Sequence, residues 1–231
     1  MDTAWVREVM GGQGRLAELK KHWEVYDGDD HLPVYNSEGE LELSLSMMFK
    51  ALLQGLPRGM PAGMYPEREH EAVKWMIGMK GNYNGGGMGQ FKFDIALLVL
   101  QYGEEAIKED VFGFAEVKTE MNMVLKEAGI EETISRGNVE LARWDSMSLS
   151  DRMLVQVFMQ MLRERNAATI VMGHNRLYLM ELDWATSTLL VDGPYFRFPK
   201  DGQEAWAFTP VDAMKVVARM YKVRQSFIVA L

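Results

Sequence analysis

Apolar positions recur along this chain at two different spacings, and the change from one to the other divides it. Leu41, Leu45, Met48, Phe49, Leu52 and Leu53 return every three or four residues, which predicts a helix with one buried face through about Leu56. Ser37 and Glu40 stand at the Ser-x-x-Glu spacing of a capping box, so that helix should begin there. Further helices are predicted over Glu67–Met79, with Ala72, Val73, Met76 and Ile77 inward, and over "FDIALLVLQYG", closed by Gly103. "FAEVKTEMNMVLKEAGI" reads as an amphipathic helix with Val117, Met121, Val124 and Leu125 inside and Gly129 at its C-cap. "LSDRMLVQVFMQMLRER" reads as another, capped by Ser148 or Ser150.

After Asn166 the period shortens. "ATIVMG", "RLYLMELD", "STLLVDG" and "AWAFT" are short β-forming runs separated by turn residues, the pattern of an antiparallel meander. "VDAMKVVARMY" is a last helix and "SFIVAL" a closing strand. Helices first and sheet second make an α+β arrangement. Residues 1–36 form an N-terminal helical and loop extension, with a helix from Leu16 to Trp23, and residues 37–231 form one globular unit.

Composition narrows the function classes. With 48% hydrophobic and 25% charged residues the chain can bury a core. Its formal charge of -8 leaves no broad basic footprint, so nucleic acid and anionic membranes are not expected partners. The longest apolar stretch, Ile95 to Leu100, is far below a membrane span, and the N-terminus lacks a signal-peptide layout; the expected location is the cytoplasm or a virion. The absence of cysteine excludes disulfides and thiol chemistry. The 19 methionines are read first as core filling and second as an adaptable contact surface, which leaves a homo-oligomer open. "GNYNGGGMGQ" lacks the Gly-Lys-Ser/Thr ending of a phosphate loop, and the acidic loop around Asp27–Asp30 lacks the glycine of a calcium loop, so no cofactor and no metal are expected.

"VMGHNRLYLMELDWATSTLLVDGPY" carries the candidate chemistry. His174 precedes the outgoing strand of a hairpin and Asp192 follows the returning one, a placement that suits a histidine oriented by a polar partner. The same residues also fit ordinary turns.

The order of a helix-first half, a loop-borne Gly-His and a hairpin closing on "VDGPY" resembles the papain-like cysteine peptidases of the bacteriocin-leader (double-glycine) group, nearest to phage-encoded members. The resemblance covers roughly residues 35 to 200, with "LSLSMMFKALLQGL" similar to the central helix. It implies a papain-like fold, a helical first half packed on a small antiparallel sheet, with a site of His174, Asp192 and a nucleophile at the helix start. Where the family has that cysteine, this chain has "EGELELSLS", so Glu40, Glu42, Ser44 or Ser46 occupies that neighbourhood, with Ser44 or Ser46 as the position of a replaced nucleophile and Glu42, Asn82 and Gln90 as binding neighbours. Asp192 precedes Gly193 rather than proline, a second departure. Three functions follow: a peptidase-like pseudoenzyme that binds a peptide or protein in its cleft, an amide hydrolase present as a Cys-to-Ser form, or a structural or assembly protein with Met-rich contacts.

Overall fold

A computed structural model describes residues 37–55, 72–79, 94–102, 107–139 and 144–229. The elements run α1 (Glu38–Gly55), β1 (Ala72–Met79), β2 (Ile95–Tyr102), β3 (Ile107–Val117), α2 (Glu120–Arg136), α3 (Leu149–Arg163), β4 (Ala168–Met172), β5 (Arg176–Asp183), β6 (Thr188–Phe196) and α4 (Pro210–Val229). Short 3-10 turns lie at Trp144–Ser146 and Glu204–Trp206.

The six strands form one mixed sheet in sequential order. Neighbours are antiparallel except β3 and β4, which run parallel because α2 and α3 carry the chain between them. Each face of the sheet has its own core. On one, Leu41, Leu45, Met48 and Phe49 of α1 join Ala213, Val217, Met220 and Tyr221 of α4 over Ile95, Leu97, Phe112, Ala115 and Ile170. On the other, Ile130 of α2 and Met153, Leu154, Val157 and Met161 of α3 cover Ala96, Val111, Phe114, Val171 and Tyr178. The class is therefore helices with a mixed sheet, in three layers.

This corrects the expected helical first half. Residues 72–79 and 95–102 are paired strands, with Ala72 opposite Tyr102 and Ile95 opposite Ala115, and "FAEV" is the end of β3 rather than the start of a helix. At β2 the cause is burial on both faces, since Ile95 and Leu97 enter one core and Ala96 the other: a strand between two helical layers reads as a continuous apolar run, without the alternation that marks a half-exposed one. "SFIVAL" is likewise no strand up to Val229, since α4 runs on through it. The expected helix at Leu16–Trp23 lies outside the described residues.

Other expectations hold. Ser37 caps α1, its Oγ accepting the Glu40 N–H at 3.2 Å, and Ser148 caps α3, accepting from Asp151 N–H at 3.0 Å. The β5–β6 hairpin turns at residues 184–187 as the alternation suggested. Among the described methionines, Met48, Met147, Met153, Met161, Met172, Met180 and Met220 are buried, the core-filling role.

β3 carries a bulge. Leu97 pairs with Gly113 and Leu98 with Val111, which leaves Phe112 with no partner on β2. Phe112 joins the core beneath α1 and α4, and Gly113 faces the same way: a Cβ there would meet Met220 Cε at 2.5 Å. Val111 before them and Phe114 after them both enter the opposite core. Glu116, two residues on from Phe114, therefore faces α3.

Gly129, expected as a C-cap, lies inside α2, which continues to a left-handed Gly137 at φ 77°. It serves as a contact point between helices, because a Cβ at 129 would collide with Ser150 Oγ and lie 2.9 Å from Ser150 Cβ on α3. Gly129→Ala gains about 1 kcal/mol of helix propensity but must part the helices. Overpacking of this kind costs about 1–3 kcal/mol, so a net loss of about 1 kcal/mol is expected in urea unfolding; a stabilised variant would show that the two helices separate freely.

Candidate functional site

Where β2 begins and β3 and β4 end, the chain gathers charge in a place that apolar packing alone would leave dry. Asp94 directly precedes β2 and is 4% exposed; Glu116, on the last turn of alternation in β3, is 2% exposed. Alternation puts Glu116 and Lys118 on one side of the backbone. Their side chains meet, Lys118 Nζ donating to Glu116 Oε1 at 2.7 Å and to the Val117 carbonyl at 2.9 Å. Asp94 is fixed across the strand pair, its Oδ2 accepting the Val117 N–H at 2.8 Å. Glu38, in the first turn of α1, approaches Lys118 Nζ at 3.7 Å from the solvent side.

α3 supplies the remaining contacts. Gln156 and Gln160 stand four residues apart and so share a helix face. Gln156 Nε2 donates to Glu116 Oε1 at 2.9 Å and Gln160 Nε2 to Oε2 at 3.5 Å, so each carboxylate oxygen receives an amide. Gln160 is wholly buried on a helix face that, beyond the buried Ser150 and Asp151 of its first turn, is made of Met153, Leu154, Val157 and Met161.

Acidic groups outnumber basic ones in this cluster. Burial raises the pKa of Glu116, and the neighbouring Asp94 charge raises it further against the pull of Lys118. For Lys118 burial works against the ammonium, but the Glu116 charge and hydrogen bond, then Asp94 and Glu38, outweigh it and raise its pKa. Among the described residues, the three carboxylates thus act on one ammonium.

The expected histidine site is not assembled. Asp192 is not at the end of its strand: β6 continues to Phe196, and Asp192 pairs with Leu179, five positions along from His174 and roughly 15 Å away at the rise of a strand. Asp192 is exposed and accepts from Tyr195 OH at 2.8 Å. His174 is 2% exposed and stacks on Phe198 with centroids 5.5 Å apart. Its carbonyl accepts from Arg197 Nη1 at 3.1 Å, and the Arg197 guanidinium lies over the Phe198 ring, so the residue is built into the β4–β5 turn. It does lie at the charged end of the sheet, two residues past Met172, whose carbonyl accepts the Lys118 N–H.

Ser44 and Ser46 are not at a helix start, because α1 begins at Glu38; Ser44 and Glu42 are half-buried and Ser46 is buried in the middle of the helix. The helix-terminal activation a nucleophile would need is therefore out of their reach. Asn82 and Gln90 lie outside the described residues.

The hydrogen bond to Asp192, after burial, pushes the Tyr195 pKa up to about 12. A phenol raised in the fold contributes stability that is intact below pH about 10, its unfolded value, and lost as pH rises toward 12. Asp192→Asn is expected to lower the Tyr195 transition in an ultraviolet pH titration; an unmoved transition would assign the shift to burial alone.

Sequence reasoning missed the charged cluster. The available signals were an Asp entering an apolar run, Glu-x-Lys closing another, and glutamines at i and i+4 inside an apolar helical stripe. Read as part of a helix, Glu116 and Lys118 point about 200° apart, and the pair disappears.

No family model matches the chain, and neither a curated protein nor a solved structure does.

Proposed function

We propose that this chain is a divalent-cation-dependent phosphodiester hydrolase acting on nucleic acid, with Asp94 and Glu116 as cation ligands and Lys118 as the group facing the substrate phosphate. The observation that carries the reading is the burial of two carboxylates beside a lysine at one end of the sheet, with two glutamine amides holding one of them.

The donor set fits a hard cation. Among the described residues no three His, Cys, Asp or Glu side chains are grouped to hold a metal by themselves. Magnesium does not require three, since it is bound through one or two carboxylates and completed by water and substrate oxygens. Such an ion supplies Lewis acidity at a phosphoryl oxygen and a more acidic water.

The chain's own groups divide the remaining work. Gln156 and Gln160 fix the orientation of the Glu116 carboxylate, and the Val117 N–H does the same for Asp94. Lys118 keeps its proton and offers its charge to a phosphoryl oxygen whose negative charge grows in the transition state. The formal charge of -8 still argues against a broad phosphate-binding surface. Binding is focused at the site, and substrate affinity should depend on the cation more than on surface lysines.

Papain-like peptide binding would place His174 opposite a nucleophile at the start of α1. In its place the first turn of α1 sets Glu38 against Lys118, and His174 packs on Phe198. That reading, and assembly through Met-rich faces, draw no support from the arrangement.

The test is incubation of the purified chain with labelled single-stranded DNA, double-stranded DNA and RNA in Mg2+, Mn2+ or EDTA. Cleavage of at least one polymer with Mg2+ or Mn2+ and none with EDTA is expected. Absence of cleavage together with absence of Mn2+ binding would overturn the reading.

A further inference from the structure

The Lys118 ammonium lies among oxygens: Glu116 Oε1 at 2.7 Å, the Val117 carbonyl at 2.9 Å and Glu38 Oε1 at 3.7 Å. The lysine side chain is 12% exposed and that of Glu116 3%, whereas Glu38 is 46% exposed. A positive charge held between a carboxylate and a carbonyl at hydrogen-bond distance is in the kind of environment a hard cation seeks, one of carboxylate and backbone oxygens.

We propose that the Lys118 ammonium is an internal competitor of the divalent cation, occupying the Glu116–Val117 oxygens until the ion displaces it toward Glu38 and the substrate. This rests on the cation-site reading above and adds how the site is regulated. Two positive charges in contact with Glu116 Oε1 repel one another with the least screening in a desolvated place, which favours departure of the ammonium when the ion arrives. Glu38 provides a destination: it already approaches the ammonium from the solvent side, in the first turn of α1. Displacement leaves Gln156 and Gln160 still holding Glu116, so the carboxylate keeps its orientation while its counter-ion changes. It also brings the lysine charge forward only when an ion is present, which couples phosphate binding to cation binding.

The distinguishing experiment is Mn2+ binding, followed by calorimetry and by the manganese electron paramagnetic resonance signal, for the natural chain and for Lys118→Met. Removing a competing charge at contact distance is expected to tighten Mn2+ binding by about tenfold while abolishing cleavage. Equal or weaker binding by Lys118→Met, with the natural chain still cutting its substrate, would overturn the competitor role and leave the hydrolase reading standing. No Mn2+ binding by either chain would overturn both. Should Lys118→Met fail to fold with Glu116 buried beside Asp94, the natural chain decides by itself. Acylation of Lys118 by an amine reagent, read by mass spectrometry, should accelerate severalfold when Mg2+ is added. An unchanged or slower rate would overturn the displacement.

Discussion

Asp94→Asn and Glu116→Gln should each reduce cation-dependent cleavage by roughly a thousandfold, the scale on which loss of a preorganised charge at a reacting centre is felt. The fold should survive both. Each replaces a carboxylate with an amide of the same shape. The amide oxygen introduced at position 94 can still accept the Val117 N–H, and the one introduced at position 116 can still accept from Gln156, while the amide nitrogen beside it gives up only the longer 3.5 Å contact with Gln160. Glu116→Gln also removes a carboxylate whose pKa is raised by burial and by Asp94. A group of that kind weakens the fold as pH rises above its ordinary range, because the unfolded chain ionises first. The Gln variant should therefore lose less stability between pH 4.5 and neutrality than the natural chain. Cleavage assays beside thermal melts at both pH values check the pair of claims. Full activity in either variant would remove the carboxylates from the mechanism, and an unfolded protein would show that the cluster is there for stability.

The largest effect on stability is expected at Phe112. Its ring is wholly buried and meets Tyr221 of α4 edge-on, with centroids 5.4 Å apart and planes at 75°. Phe112→Ala removes that contact and leaves a cavity under α4, with Val217 and Met220 for walls; large-to-small changes of this kind cost about 3–5 kcal/mol. Domain stabilities are commonly about 5–15 kcal/mol, so the urea midpoint should fall by a large fraction. The slope of the transition should stay the same. A loss below about 1 kcal/mol would mean that α4 settles into the vacated space.

The elements of the described chain differ in how openly the sequence declares them. α1 announces itself with Ser37 and Glu40, α3 with Ser148, and the β5–β6 hairpin with alternation, because each is decided by local hydrogen bonds or by a half-exposed face. β1 and β2 have no such mark. They are strands because Trp75 finds Val99 and Leu97 finds Gly113 across the sheet, partners that periodicity within a short apolar run cannot reveal. The site was lost with them: Asp94 and Glu116 come together only when β2 and β3 are paired. His174 is legible as a residue beside a strand, and it does sit at the charged end of the sheet, but Asp192 pairs with Leu179 well inside the hairpin because β6 runs on to Phe196.

The bulge at Phe112 and Gly113 gives β3 one residue of slack in chain length. Both residues face α4, so deleting Gly113 would close the bulge and leave every later side chain on its present face, Glu116 still against Gln156 and Gln160. Deleting Ala115 has no such reserve. Odd and even positions would exchange beyond it, and the Glu116 carboxylate would turn to the layer of Leu41, Phe49 and Val217, an apolar wall with a charge pressed into it. Length changes in this strand are therefore tolerated by place: one residue can be given up before Phe114, while after it the count must stay even to keep the acid and the lysine in use.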